Sequence, residues 1–180
     1  MNTGNWIAQL NEITDLFLTE FGSLSPEQLN FKPNNKKWSI AQNIDHLIKI
    51  NNSYFPVITA VRNNSLKLPF TSKIEFIVNS FGKMILKAVQ PERKRRMKTF
   101  SVWEPAQSNF SSDIIEKFKI SQDELKTLIE GSDELIKNGA VIYSPANKKI
   151  VYKLETAYDI IILHERRHFE QAMEIKKLLS

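Results

Sequence analysis

The sequence predicts an all-α protein, a four-helix bundle that runs up-down-down-up with a long crossover between its second and third helices. Apolar residues recur near the 3.6-residue helical period along four long segments. Only 5 glycines and 7 prolines occur in 180 residues, which disfavours a many-turned β architecture. About 50 residues separate the second bundle helix from the third, and a connection of that length lets the two run in the same direction.

The first bundle helix is predicted from about Thr3 to Phe21, where Gly22 ends it. Ser25 is then a candidate N-cap residue. Pro26 suits the first helical position, and Gln28 completes a capping box. These residues predict a short helix of one turn between the first and second bundle helices.

A second capping box opens the second bundle helix. Ser39 is followed three residues later by Gln42, and the apolar pattern then runs from Ile40 to about Val61. Pro56 lies inside this pattern, so the sequence predicts that the helix kinks there or ends early.

The crossover is predicted to carry an extra helix. Ser72 and Glu75 have capping-box spacing, and the pattern behind them continues to Val89, just before Pro91. The stretch 91–109 has no helical period and is predicted to be irregular.

The third bundle helix is predicted to begin near Ser112 or Asp113 and to stop at Gly131. A further short helix is expected over Ser132–Asn138, ending at Gly139. The stretch Ala140–Tyr152 has β-branched residues on both sides of a turn and is compatible with a small hairpin, but we interpret it as a loop. The fourth bundle helix is predicted over about Leu154–Leu179.

Composition excludes several classes of protein. The chain has no cysteine, which excludes a disulfide scaffold, thiolate zinc ligands, iron–sulfur clusters and a cysteine nucleophile. It has no basic leader followed by an apolar run, and no apolar stretch long enough to span a membrane. We therefore expect one domain over residues 1–180, a cytoplasmic location and no membrane association.

The net charge of +5 comes from one short segment. Five basic residues lie between Arg93 and Lys98, and without them basic and acidic residues are equal in number. Such a run, with Phe100 and Trp103 as stacking residues, is compatible with nucleic-acid binding. Charge runs in loops are usually only solvated, so this function is kept as an alternative.

The three histidines, His46, His164 and His168, are the strongest functional signal. His164 and His168 lie one turn apart on the apolar stripe of the fourth bundle helix, so both imidazoles can point at one ion. Burying two polar rings costs several kcal/mol unless their nitrogens are paired. If the second bundle helix adjoins the fourth, His46 supplies a third nitrogen. Three ligands with an open position are typical of catalytic zinc.

Two other motifs share these residues. The segment His164–His168 matches the H-E-x-x-H helix of zinc proteases, but these take a third ligand downstream, and only twelve residues follow His168. The same segment contains the E-x-x-H of di-iron bundles, which need the motif twice and two more glutamates. Asn43 stands where the second bundle helix would need its glutamate.

Several short motifs carry a resemblance to a known family. They are the turn Asn30–Pro33, the segment Trp38–Ile40, the triplet Asp45–Leu47 and the stretch His164–Gln171. With these motifs the chain resembles the DinB/YfiT-like superfamily. The resemblance implies a four-helix bundle with a long crossover, often dimeric, that holds nickel, zinc or another divalent ion on three histidines. By motif match these are His46, His164 and His168.

The resemblance also implies a function, since members with known activity include thiol-dependent S-transferases and a thiol-dependent isomerase. We expect a metal-dependent transferase or hydrolase that activates a thiol or water and acts on a small molecule, as a homodimer. Zinc or nickel is the expected ion, with manganese or iron as further candidates, and a low-molecular-weight thiol is a candidate partner. A non-catalytic ligand-binding bundle is the alternative.

Three further residues are assigned expected roles. Glu165 projects about 100° from His164 around the helix, so we expect it beside the ligands or facing solvent, and not catalytic. Gln171 lies on the buried arc and is the better candidate to orient a ligand or a bound water, although a bundle-spanning hydrogen bond explains it equally well. Trp38 can pack against the start of the second bundle helix and fix its entry angle, but we expect ordinary core packing with an indirect effect on the site.

Overall fold

The computed structural model describes residues 3–91 and 99–179. Within these ranges the chain forms helices α1 (Thr3–Phe21), α2 (Pro26–Asn30), α3 (Ile40–Arg62), α4 (Glu75–Val89), α5 (Asp113–Glu130), α6 (Asp133–Lys137) and α7 (Leu154–Lys176), and strands β1 (Val141–Ser144) and β2 (Asn147–Lys153). Two short 3₁₀ helices, Phe70–Lys73 and Ser101–Trp103, lie in the crossover. The four bundle helices are α1, α3, α5 and α7.

Both predicted capping boxes at the start of the chain are confirmed. The Ser39 side chain accepts a hydrogen bond from the backbone N–H of Gln42 (3.1 Å), and the Gln42 side chain accepts one from the backbone N–H of Ser39 (3.2 Å). Ser25 and Gln28 make the same reciprocal pair before α2. Each box satisfies N–H groups that have no partner inside the helix, and so fixes where the helix begins.

Contacts between α1 and α7 show that these helices are parallel. The indole nitrogen of Trp6 donates to Asp159 (2.7 Å), near the start of both helices, and Lys176 pairs with Glu20 (2.8 Å), near the end of both. Residue numbers therefore increase in the same direction along α1 and α7.

The same reasoning applies to the pair joined by the crossover. Asn51 donates to Gln122 (3.0 Å), and Arg62 donates to the carbonyl of Leu128 (2.9 Å), so α3 and α5 are also parallel.

Contacts between α1 and α5 run in the opposite sense. Gln122 donates to the hydroxyl of Thr14 (3.1 Å), while Phe17, further along α1, contacts Phe118, earlier on α5, at 4.6 Å between ring centroids. With α1 parallel to α7 and α3 parallel to α5, this antiparallel contact confirms the predicted up-down-down-up topology. A long crossover is what allows α3 and α5 to be parallel neighbours.

The core lies between these four helices. Large apolar side chains fill it, among them Phe17, Phe21 and Phe118, all fully buried, with Phe169 against the first two. Full burial of one such side chain contributes about 1.5–3 kcal/mol. No helix in the described ranges is long and apolar enough to cross a bilayer.

The interpretation of residues 140–152 as a loop is wrong, because they contain the antiparallel hairpin of β1 and β2. Ile142, Val151 and Tyr152 are buried, and α4 and α7 both contact β2. A two-stranded hairpin is marginal by itself, so the cover provided by these helices stabilises it. That cover is not visible in the local sequence.

Two local expectations about helices also need correction. The predicted extent of the second bundle helix, Ile40 to about Val61, is confirmed, but the helix does not end early at Pro56, and Val57 and Ile58 are buried directly after the proline. Burial of these side chains outweighs the loss of one backbone hydrogen bond. In addition, Ser72 does not cap α4, because it lies in a 3₁₀ helix, and α4 starts at Glu75 without a side-chain cap.

The C-terminal boundary also differs slightly. Helix α7 ends at Lys176, three residues short of the predicted end at Leu179. Leu178 and Leu179 continue through turn hydrogen bonds to the last carbonyls of the helix. Helix ends commonly fray into such turns.

Ser39→Ala should lower the free energy of unfolding by about 1 kcal/mol, because it removes the acceptor for the Gln42 N–H at the start of α3. Urea denaturation monitored by circular dichroism measures the change. Ser80→Ala, at an exposed position inside α4, is the matched control and should leave stability unchanged or slightly raised. Equal stability of the two variants would contradict a role for the cap.

Candidate metal centre

The structure brings the three histidines of the chain together. One ring nitrogen from each of His46, His164 and His168 lies within 4.8 Å of the other two. Their ring centroids are 4.5–5.2 Å apart. His46 and His168 are buried, whereas His164 is partly exposed. Side chains from two helices thus form one cluster.

An antiparallel contact between α3 and α7 produces this convergence. Asn43, near the start of α3, bonds to His168, and Asn51, two turns further on, bonds to Glu165, which precedes His168 on α7. His46 lies between the two asparagines in sequence and therefore faces the histidine pair of α7.

The orientation of His168 follows from a chain of hydrogen bonds. Its Nδ1 lies 2.7 Å from Oδ1 of Asn43, and the amide nitrogen of Asn43 donates to the carbonyl of Ser39 (2.9 Å). Because the amide nitrogen is used in that bond, the oxygen faces the ring and can only accept. His168 therefore carries its proton on Nδ1, and its Nε2 has a free lone pair.

His46 is fixed in the same way by the crossover. Its Nδ1 lies 2.6 Å from the backbone carbonyl oxygen of Trp103, an acceptor only, so Nδ1 donates and Nε2 has the lone pair. The indole nitrogen of Trp103 in turn donates to the hydroxyl of Ser53 (3.0 Å). The backbone carbonyl and the indole nitrogen of Trp103 are therefore both bonded to side chains of α3.

The irregular segment around Trp103 is bonded along the first turns of α3. Asp45 accepts from the backbone N–H of Ala106 (2.9 Å), and Gln42 donates to the carbonyl of Ala106 (3.1 Å). Lys49 donates to the carbonyl of Glu104 (2.9 Å). These bonds replace the regular backbone pairing that the segment lacks, and they position the carbonyl that orients His46.

The third ring approaches the other two through its Nε2. This atom of His164 lies 3.1 Å from Nε2 of His168, which has a free lone pair. With a proton on Nε2 of His164 this contact is a hydrogen bond, whereas two facing lone pairs at that distance would need a metal ion between them. Ligands about 2.0 Å from one tetrahedral ion stand about 3.3 Å apart, so the observed separation fits a shared ion. Three imidazole nitrogens form a donor set that suits zinc and nickel.

The surroundings keep the imidazoles neutral, which is the form that binds metal. Burial lowers the pKa of His46 to about 4, although its hydrogen bond to Trp103 acts in the opposite direction. Burial lowers the pKa of His164 and of His168 well below the usual value, and the nearby histidines and the charge of Arg167 add to the effect.

Trp38 contacts the histidines directly, which the sequence did not indicate. Its ring stacks on His168 at 5.8 Å between centroids and 19° between planes, and it lies 4.9 Å from His46. We expected ordinary core packing with only an indirect effect on the site. Because α7 approaches the residue that precedes the Ser39 cap, Trp38 becomes a half-buried wall of the cluster.

Sequence reasoning also missed Asn43 and the carbonyl of Trp103. A signal existed for Asn43, because a polar residue one turn before His46 shares its helical face. No side-chain signal exists for a backbone carbonyl in an irregular segment.

Glu165 does not face solvent. This corrects one of the two placements expected for it, beside the ligands or facing solvent. It is fully buried, and its carboxylate oxygens accept from Asn51 (2.9 Å) and Gln122 (3.0 Å). Gln122 also donates to Thr14 (3.1 Å), so each of the four bundle helices contributes one residue to this polar layer. Burial raises the pKa of Glu165 to about 7, against the lowering effect of the two amides.

Two further expectations concern residues beside the cluster. Gln171 is half-buried, and among the described residues no hydrogen bond links it to the histidines, so its orienting role stays a prediction. The basic run at 93–98 lies outside the described residues. Of its two proposed stacking partners, Trp103 is bonded to Ser53 and lies edge-on to Phe100.

The chain belongs to the DinB superfamily, since a family model of that description matches residues 9–172. The match includes all three histidines and parts of all four bundle helices. It confirms the resemblance inferred from the sequence motifs.

A solved structure with the same fold is YfiT from Bacillus subtilis, described as a probable metal-dependent hydrolase with an unusual four-helix bundle topology. The TM-score is 0.52 at 16% sequence identity, and the match covers 98% of this chain and 87% of YfiT. At this identity the likeness establishes the fold. Among curated proteins, none matches the chain.

Acidification should destabilise the metal-free protein between about pH 6.5 and 4.5. The pKa values of the three histidines are lower in the folded state than the usual 6.5, so the unfolded chain binds protons that the folded chain does not. Glu165 opposes this trend, because its raised pKa gives stability that is lost as the pH rises from about 4.5 to 7. The three histidines outweigh Glu165, so the net effect of acidification is a loss of stability.

Urea denaturation in the presence of EDTA, at about pH 6.5 and 5, measures this difference. Each group contributes at most about 1.4 kcal/mol per pH unit. Glu165→Gln removes the opposing carboxyl and should make the loss on acidification steeper. Constant stability in the wild type across this interval would show that the histidines are not buried as neutral rings.

Proposed function

We propose that the protein is a divalent-metal-dependent enzyme of the transferase or hydrolase type, with zinc or nickel held by His46, His164 and His168. The observation that carries this proposal is the convergence of the three ring nitrogens, two of them made available because the opposite nitrogen donates to a fixed acceptor. Membership of the DinB superfamily and the description of YfiT as a probable metal-dependent hydrolase support it.

An ion held by these three histidines would supply Lewis acidity, the chemistry by which a water or a thiol becomes a nucleophile near neutral pH. The chain's own residues orient and enclose the site. Asn43 and the carbonyl of Trp103 hold the imidazoles in the binding tautomer. Trp38 covers the ring of His168, and the partly exposed His164 marks the side from which a small substrate approaches.

The surroundings favour a thiol over water as the nucleophile. Two carboxylates are adjacent to the ligands in sequence. Glu165 has both oxygens bonded to amides and is directed to the polar layer. Asp45 accepts from the backbone N–H of Ala106 and pairs with Lys49. With both of these carboxylates engaged in other bonds, the group whose pKa needs the smaller shift is activated more easily. A thiol has a pKa of about 8.5, against about 15.7 for water. Transfer of a low-molecular-weight thiol to a small electrophile is therefore the favoured reaction, and a homodimer remains a prediction of the family resemblance.

Metal binding provides the first test. The wild type, loaded with zinc or nickel and then dialysed, should retain about one ion per chain by elemental analysis, and His46→Ala or His168→Ala should retain none. Asn43→Ala should weaken binding by about 10–100-fold in competition with a chromophoric chelator, because it releases the ring of His168. Asn79→Ala, exposed on α4, is the control and should bind like the wild type.

Turnover provides the second test. The zinc- or nickel-loaded protein is incubated with low-molecular-weight thiols and halogenated electrophiles, and with an activated ester to detect hydrolysis. We expect loss of free thiol that requires the metal and disappears in His168→Ala. If the loaded wild type and His168→Ala consume thiol and ester at equal rates, the bundle is a binding protein and not an enzyme.

A further inference from the structure

Helix α4 and the 3₁₀ helix before it expose a cluster of large apolar side chains. Of ten such exposed side chains in the described residues, five lie between Leu68 and Met84. Two are phenylalanines that project almost freely, Phe70 at 74% and Phe76 at 79% exposure. The five outside this segment are scattered over the chain. The concentration between Leu68 and Met84 is therefore a local property and not the ordinary apolar content of a protein surface.

The inner face of α4 is already used for packing. Val78 and Gly82 are buried, and a side-chain carbon added at Gly82 would lie 3.1 Å from Thr156 and 3.6 Å from Tyr152. Phe76, on the other side of the helix, therefore points away from the bundle. The extra helix of the crossover thus has apolar residues on both sides, with Phe76 on the outer face where a solvated helix would have a polar residue.

The same outer face is basic. Lys83 and Lys87 follow Phe76 by seven and eleven residues and share its helical stripe, and Lys67 and Lys73 are exposed in the preceding segment. Glu75 is the single acidic residue between positions 67 and 87. Among the described residues, none of these four lysines takes part in an ion pair.

This combination identifies the kind of partner. A second copy of the chain seated here by two-fold symmetry would bring the lysines of both copies together, which is unfavourable. Two freely projecting phenylalanine rings, flanked by lysines with long apolar stems, suit the boundary between lipid headgroups and acyl chains. Anionic headgroups complement the lysines.

We propose that the α4 surface, defined by Leu68, Phe70, Ile74, Phe76 and Met84 with Lys67, Lys73, Lys83 and Lys87, docks on an anionic lipid bilayer. The helix lies along the membrane surface without crossing it, in keeping with the lack of a spanning helix in the described residues. The expectation of no membrane association rested on the lack of an apolar stretch long enough to span a bilayer. That lack excludes insertion across the bilayer but not docking on its surface.

Vesicle flotation with the full-length protein tests the proposal. Vesicles contain phosphatidylcholine alone or with about 30% phosphatidylserine, in about 0.05 M or 0.5 M salt. We expect binding about tenfold tighter to the anionic vesicles at low salt, and a large loss at high salt. The double variants Phe70→Ser/Phe76→Ser and Lys83→Glu/Lys87→Glu should each weaken binding by about tenfold or more.

Two matched controls keep the same chemical changes at other places. Lys148→Glu/Lys149→Glu makes the same charge change on exposed residues of β2, and Ile120→Ser/Leu178→Ser removes two exposed apolar side chains elsewhere. Both should bind like the wild type, and the basic run at 93–98 is left intact in every variant. Circular dichroism and melting temperature confirm that each variant is folded.

Three results would overturn the proposal. The first is binding to neutral and anionic vesicles alike, or to neither. The second is loss of binding in the lysine variant with none in the phenylalanine variant, which means general charge attraction without insertion. The third is a dimer of the wild type in light scattering that the phenylalanine substitutions convert to a monomer, which assigns the surface to a second copy of the chain.

Discussion

The antiparallel contact between α3 and α7 is the constraint on which the site depends. It places His46 opposite His164 and His168, and it is fixed on both sides of the cluster by buried polar bonds. Asn43 bonds to His168, and Asn51 bonds to Glu165. A shift of one turn between the helices would break both bonds and separate the rings, so the same contacts determine the register of the bundle and the geometry of the cluster.

Burying so many polar groups requires that they be paired, and the pairing organises the bundle interior. The histidine cluster is bonded to α3 and the crossover, while the polar layer around Glu165 joins all four bundle helices. One exception remains in this layer, since Oδ1 of Asn51 is buried without a partner among the described residues. The bonds of the layer use both oxygens of Glu165, so this carboxylate is held in the polar layer although it is adjacent to His164 in sequence.

Much of the fold could be predicted because it depends on local signals. Capping boxes and the 3.6-residue period located α1, α3 and α5 closely, and crossover length gave the topology. The errors arose where tertiary contacts outweigh local preference. Burial after Pro56 continues α3, and packing of α4 and α7 stabilises a hairpin that the sequence left ambiguous. For the site, the sequence indicated the three histidines but not their contact with Trp38. That contact depends on how α7 packs against the start of α3, because Trp38 precedes α3 and stacks on His168 of α7.

The sequence by itself determined the helices, the up-down-down-up order and the identity of the three histidines, because periodicity, capping and residue type are local properties of the chain. Tertiary structure alone decided which ring nitrogen is free, since that depends on acceptors far away in sequence, Asn43 for His168 and the carbonyl of Trp103 for His46. It also decided that Glu165 faces the bundle interior. A helix in a bundle has more than one buried side, and only its neighbours determine what each side contacts.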